Sequence, residues 1–230
     1  MLEIKLFLFK LKNFKIITRS RALKKKIKLD FSHLKKEFEN YIKLKNFSQK
    51  WFLNNFEVFH HYLPKDYETS FSYLEIGSYE GLSALNVLYN YKNSKVTTID
   101  LWGESNANSE SLNVKFSEVE NKFNKNLEGY EYSKIKNDSI IALRELLKKE
   151  LFFDFIYIDG SHNGEDILSD AIECYKLLNV GGIIIFDDVV NVNKKISIQS
   201  YVGFEKFYQI YKKKLKILYL KNIAVVKKIT

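Results

Sequence analysis

The sequence predicts an α/β chain. The expected architecture is a doubly wound, mostly parallel sheet with helices on both faces and a C-terminal antiparallel hairpin. Three observations predict it. From residue 72 to 187, strand-like and helix-like segments alternate at lengths suited to crossover connections. "FFDFIYIDG" and "GGIIIFDD" are apolar on consecutive residues, which is how strands covered on both faces read. "LKILYL" and "KNIAVVKK" are joined by too little chain for a crossover, so they should pair antiparallel at the sheet's edge.

Taken in order, residues 1–50 read as a basic helical extension and residues 51–230 as the folded domain. "SQKWFLNNFEVFHHYL" reads as a helix, and Pro64, the one proline, stops it. Strands are expected at 72–76, 95–100, 132–136, 153–158 and 182–187, with helices at 81–91, 110–126, 139–150 and 164–178. The last of these carries Ile167, Leu168, Ala171, Ile172, Tyr175 and Leu178 on one face at helical period. A final helix near 203–213 precedes the hairpin.

The net charge of +9 resides in the extension. Residues 1–50 hold 15 lysines and arginines against 4 acids, whereas the other 180 hold 22 against 24. Only Arg19, Arg21 and Arg144 are arginines, and planar recognition of phosphates or bases favours that side chain. A solvated lysine-rich helix surface therefore outweighs a nucleic-acid site. Leu, Ile and Phe interleaved with the lysines also suit peripheral contact with anionic lipid. The same extension could serve as an arm in a homo-oligomer. No apolar run approaches the ~18 residues of a membrane span, and Lys5, Lys10, Lys12 and Lys15 break any signal-peptide core. The single cysteine, Cys174, excludes an internal disulfide and suits a reducing cytoplasm. Its apolar neighbours mark it as a small core side chain and not as a nucleophile.

In an open parallel sheet, ligands bind outside the carboxyl ends of the strands. The polar clusters of this chain fall at those ends. Glu75, Gly77, Ser78 and Gly81 follow the first strand, and Asp100 ends the second. Asn137, Asp138 and Ser139 follow the third, Asp159 to His162 the fourth, and Asp187 and Asp188 end the fifth. In "YLEIGSYEGLSAL", Gly77 would let the chain turn and bring a ligand against bare backbone, while Gly81 would let the next helix pack closely. The spacing is E-x-G-x-x-x-G. It is neither the dinucleotide G-x-G-x-x-G nor a Walker loop, so it fits a ligand with a positive end and no phosphate to cradle.

This pattern resembles the first motif of class I S-adenosylmethionine-dependent methyltransferases, which have a Rossmann-like sheet. "VTTIDLWG", "KFNKN", "NDSIIAL", "FDFIYIDGSHNGEDILSD" and "LLNVGGIIIFDDV" follow in the order of one branch. That branch is the metal-dependent small-molecule O-methyltransferases of the macrocin and cephalosporin-tailoring type. The resemblance covers roughly Trp51 to Lys227. It implies that Glu75, Gly77 and Ser78 border the methionine part of the cofactor, with Gly81 opening the helix beneath. It implies that Asp100 accepts the ribose hydroxyls, that Asp138 and Ser139 lie along the adenine edge, and that Leu101 or Trp102 lies on its face. By residue chemistry alone, Asp100 could be a turn-forming acid and Ser139 a helix N-cap.

The same resemblance places Mg²⁺ on Asp159, Asp187 and Asp188, with Asp159 also near the cofactor, and makes His162 the general base. Chemistry agrees. Neighbouring parallel strands lie about 4.8 Å apart, so carboxylates gathered at their ends repel unless a cation or a proton intervenes. Imidazole titrates near neutrality, as a base for a hydroxyl must. The residues alone leave helix caps, solvated loop acids and a surface histidine as alternatives, and relatives often carry Glu-Asp or Asp-Asn where this chain has Asp-Asp. The expected activity is methyl transfer to a hydroxyl of a sugar, polyketide or related metabolite in the cytoplasm. The acceptor pocket is expected from residues 1–70 and from "VVNVNKKISIQSYVGF". The rivals are an RNA-directed methyltransferase and a non-catalytic binding protein on the same fold. "DGSH" after the fourth strand excludes the Asn/Asp-Pro-Pro-aromatic subclass of base-amino methyltransferases.

Overall fold

A computed structural model describes residues 2–103, 116–189 and 197–230. The N-terminal segment forms α1 (Leu2–Lys12), α2 (Phe14–Asp30) and α3 (Ser32–Tyr41). The single helix expected over 48–63 is instead a 3₁₀ turn, Trp51–Asn54, followed by α4 (Phe56–Tyr62). The break falls at Asn55, whose side chain is engaged elsewhere. Then come β1 (Ser72–Ile76), α5 (Leu82–Asn90), β2 (Lys95–Asp100), α6 (Phe116–Asn126), β3 (Ser133–Lys136) and α7 (Ser139–Lys148). The chain ends with β4 (Phe153–Ile158), α8 (Gly164–Leu177), β5 (Leu178–Phe186), α9 (Ser197–Tyr211), β6 (Leu215–Leu220) and β7 (Ala224–Lys228). Of the helix expected at 110–126, residues 110–115 lie outside the described residues, as do residues 190–196 of the expected acceptor segment.

Among the described residues the strands form one seven-stranded sheet in the order β3-β2-β1-β4-β5-β7-β6. The first five strands are parallel. β7 runs antiparallel to β5, and β6 forms the edge beyond it. Successive residues of the central strands are buried on opposite faces. Leu74, Ile76, Ile156 and Ile158 join a core with residues of α7, α8 and α9, while Tyr73, Tyr157, Ile183 and Ile185 join one with α2 to α6. Strand β5 starts at Leu178, before the Gly181–Gly182 pair. That pair accommodates a register shift opposite β4, with Gly181 at φ +86°. Ile27 and Phe38 of the extension share the second core, and Leu220 N–H donates to the Ser20 hydroxyl across 2.9 Å. Cys174 is fully buried.

Strand order reverses between β1 and β4: the chain winds outward from β1 through β2 and β3, then returns to β1's other side. That crevice is where open α/β sheets receive ligands.

Candidate active site

Strand register builds the site. Glu75 pairs with Thr98 of β2 and with Tyr157 of β4, and Tyr157 pairs with Ile185 of β5. Two residues further along each strand, on the same face, come Gly77, Asp100, Asp159 and Asp187. The ladder continues through this row: Gly77 N–H donates to Ile99 O at 2.9 Å, Asp159 N–H to Ile76 O at 2.9 Å, and Asp187 N–H to Ile158 O at 3.0 Å. Pleating therefore delivers three carboxylates and one bare backbone to a single row across the crevice.

Gly77 has φ +83°, and a Cβ there would stand 2.3 Å from Asp159 O and 2.5 Å from the Gly160 Cα. The missing side chain thus makes room for the turn after β4, where the sequence suggested a ligand. Gly81, at φ +85°, precedes α5 at its N-cap, and a Cβ there would come within 2.9 Å of Phe123 Cδ2 on α6 and 2.5 Å of Leu127 Cδ1 just beyond it. Glu75 is fully buried beneath this loop, and its Oε2 accepts from Tyr73 OH at 2.7 Å. Burial raises its pKa to about 7, against the pull of the Tyr73 hydroxyl. Glu75 Oε1 and Ser78 Oγ are buried polar atoms that complete no hydrogen bond among the described residues. Unspent polar capacity of this kind suits the charged amino-acid end of S-adenosylmethionine.

The Asp100 carboxylate accepts from Tyr79 N–H through Oδ2 and from Trp102 N–H through Oδ1, each at 2.8 Å. Burial raises its pKa, and these backbone donors lower it. Trp102 is buried against Phe123, ring centroids 4.6 Å apart, with its indole N–H donated to Tyr79 O at 2.8 Å. Of the two side chains expected on the adenine face, it is Leu101 that is exposed. The cap of α7 is Asp138, which accepts from Ile140 N–H and Ile141 N–H, and not Ser139. The Ser139 hydroxyl donates to Asp170 of α8 at 2.6 Å.

Asp159 and Asp187 meet on one phenol. Tyr157 OH lies 2.5 Å from Asp187 Oδ2 and 3.2 Å from Asp159 Oδ2. Burial, followed by the charges of Asp187, Asp188 and Glu75, pushes the Asp159 pKa well up. Burial raises that of Asp187 as well. Asn55 Nδ2 donates to Asp187 Oδ1 at 2.8 Å, and Asn222, from the β6–β7 turn, donates in turn to Asn55 Oδ1. Asp188 departs from the row. It follows the end of β5 at φ +49°, where strand alternation no longer holds, its charge acts on both Asp159 and Asp187, and its Oδ2 lies 3.3 Å from His162 Nε2. The expected trio thus divides into a bridged pair and a carboxylate beside the imidazole. Among the described residues, no group of three or more His, Cys, Asp or Glu is arranged as a metal centre. The donor chemistry still fits a hard cation: all-oxygen ligands, strained by mutual repulsion.

A recess of about 10 Å³, room for one water, adjoins this pair. Ile158, Asp159, His162, Asp187, Val189 and Ser200 line it, and Ser200 Oγ is buried without a partner among the described residues. Sequence reasoning missed Tyr157, Asn55, Asn222 and Ser200. Tyr157 alone carried a signal, two residues before Asp159 in a strand. Glu80, between the two glycines, was also missed. It is buried and accepts from Ser48 N–H at 2.5 Å and Lys122 Nζ at 3.0 Å, tying the loop to the N-terminal segment.

Comparison with known proteins bears on the family and the fold. A family profile described as a methyltransferase domain matches residues 74–189, from the heart of β1 to the end of the aspartate pair. An uncharacterized protein, R132, of Acanthamoeba polyphaga mimivirus is 28% identical over 158 residues, covering 64% of this chain and 66% of that protein. The chain thus spans a little under two thirds of that relative's length. An O-methyltransferase from Bacillus cereus, solved with SAH, superposes with a TM-score of 0.50 at 20% identity, over 68% of this chain and 74% of that one. MycE of the mycinamycin biosynthetic pathway, solved with Mg, SAH and mycinamycin VI, gives 0.55 at 16% identity, over 87% of this chain and 54% of that one. At these identities the structures establish a shared fold.

Proposed function

The chain belongs to the methyltransferase domain family, and from that premise we propose that it is an O-methyltransferase acting on a hydroxyl of a small molecule, with Mg²⁺ assisting and His162 as general base. The observation that carries the proposal is the row of Asp100, Gly77, Asp159 and Asp187 across the crevice, with His162 beside it. The family's methyl donor, S-adenosylmethionine, supplies a methyl already activated on a sulfonium. Asp100 would hold the ribose, and Glu75, Ser78 and the Gly77 turn would border the methionine end. Leu101 and the start of α7 would flank the adenine. What remains for the protein is to align the acceptor oxygen and remove its proton.

His162 would perform the second task. With Nε2–H donated to Asp188, Nδ1 would be left to take the acceptor's proton. Mg²⁺, held by Asp159, Asp187 and Asp188, would stabilise the acceptor alkoxide. Support for Mg²⁺ comes from the donor set and from MycE, which was solved with Mg. Transfer of labelled methyl to sugar and polyketide hydroxyls, with and without chelator, tests the reading. Turnover should fall at least ~100-fold on chelation and on His162→Ala. Chelator-insensitive turnover would remove the metal, and an undiminished His162→Ala enzyme would remove the base.

A further inference from the structure

We propose that α1 is a docking surface for an anionic lipid membrane, lying along it through an apolar stripe flanked by lysines. The helix is apolar on two sides. Inward, Phe9 is buried against Tyr201 and Phe204 of α9, with ring centroids 5.3 and 6.5 Å away. Outward, Ile4, Phe7, Leu8 and Leu11 recur at i, i+3, i+4 and i+7, and these four are between 54% and 64% exposed. Phe14, at the start of α2, is 62% exposed and continues the stripe. Such spacing ordinarily marks the face a helix buries, and here it points away from the rest of the chain. At ~100° per residue, Lys10 and Lys12 fall on opposite flanks of the stripe.

Charge selects the occupant. Residues 1–29 contain ten lysines and arginines and one acid, Glu3. A second copy meeting this face across a two-fold axis would set lysine against lysine. A nucleic acid would match the charge but leave the apolar stripe without a partner. An anionic bilayer satisfies both, taking the apolar side chains into the headgroup–acyl boundary while lysines reach the phosphates. Contact is peripheral, because no helix of the described residues is long and apolar enough to cross a membrane. α1 also rests on α9, which lines the recess beside His162 through Ser200. The surface stands on its own observations and does not rest on the methyl acceptor.

The test is co-sedimentation of the full chain with vesicles of phosphatidylcholine, alone or with about a third phosphatidylglycerol. The chain should bind the anionic vesicles at least ~10-fold more tightly than the neutral ones and be released by ~0.5 M salt. Phe7→Gln together with Leu11→Gln should weaken that binding by ~10-fold or more while leaving the melting temperature and SAH binding unchanged. Three outcomes overturn the proposal: no binding to either vesicle, undiminished binding by the double variant, or a wild-type dimer that the variant converts to monomer. Tight, salt-sensitive RNA binding that displaces the vesicles would assign the surface to nucleic acid instead.

Discussion

Gly77 occupies the middle of an acidic row because the turn after β4 crosses directly over it. A methyl group there would meet backbone atoms of Asp159 and Gly160, which no rotamer change can move. The left-handed φ of +83° adds a penalty of ~1–2 kcal/mol for any other residue. Gly77→Ala should therefore lower unfolding stability by more than ~2 kcal/mol in urea titration; a change within ~0.5 kcal/mol, typical of an unconstrained surface site, would contradict the close approach. At this scale the sequence was legible in Gly81, which lets α5 pack closely, and in the gathering of acids at strand ends, whereas the close neighbour of Gly77 is the turn after β4 and not a ligand. It was not legible where partners lie far along the chain. Asp138 and Ser139 are both good caps, and only the proximity of Asp170 on α8 decides that Ser139 spends its hydroxyl elsewhere.

That Ser139–Asp170 contact joins α7 to α8, and it has a pH signature. Burial raises the Asp170 pKa to about 7, with the Ser139 hydrogen bond lowering it and the charges of Asp166 and Asp138 adding to the rise. A raised folded-state pKa means that the folded chain holds a proton the unfolded chain has released. The stability Asp170 contributes is full below its ordinary value and is lost as pH rises through about 7. Asp170→Asn keeps a neutral partner for Ser139 and removes this titration. Measured by urea unfolding from pH 4 to 8, the variant should gain on the wild type by ~1.4 kcal/mol per pH unit and level off above ~7; a constant gap would refute the burial argument. The elements themselves were largely readable, because a parallel strand buried on both faces is a continuous apolar run. β1, β2 and β4 begin and end where the residue pattern changes. Two elements were misread for local reasons. The fifth strand was expected at 182–187 but runs from Leu178 to Phe186 through the Gly181–Gly182 pair, and the 48–63 segment is helical in pattern but is interrupted where Asn55 turns to Asp187.

Across the whole molecule, the site depends on three distant segments. Asn55 precedes the first strand, Asp187 ends the fifth, and Asn222 turns the terminal hairpin, and their side chains form one hydrogen-bonded line. No periodicity announces such a line, so composition and spacing could not reveal it. Asn55→Ala should leave the Asp100 side intact while releasing Asp187. We expect turnover to fall ~10-fold or more with SAH affinity within about twofold of wild type. Equal losses in both would mean that Asn55 acts on the fold as a whole. The family match over residues 74–189 covers the row of acids but neither Asn55 nor Asn222.

The central claim is that pleating and register bring Asp100, Gly77, Asp159 and Asp187 together to receive S-adenosylmethionine. Isothermal titration calorimetry of the purified chain with SAH tests it most directly. The account predicts one site per chain, weakened ~10- to 100-fold by Asp100→Asn through loss of charge-assisted hydrogen bonds to the ribose. Absence of binding heat over a range of temperatures, or an Asp100→Asn chain that binds as tightly as wild type, would contradict it.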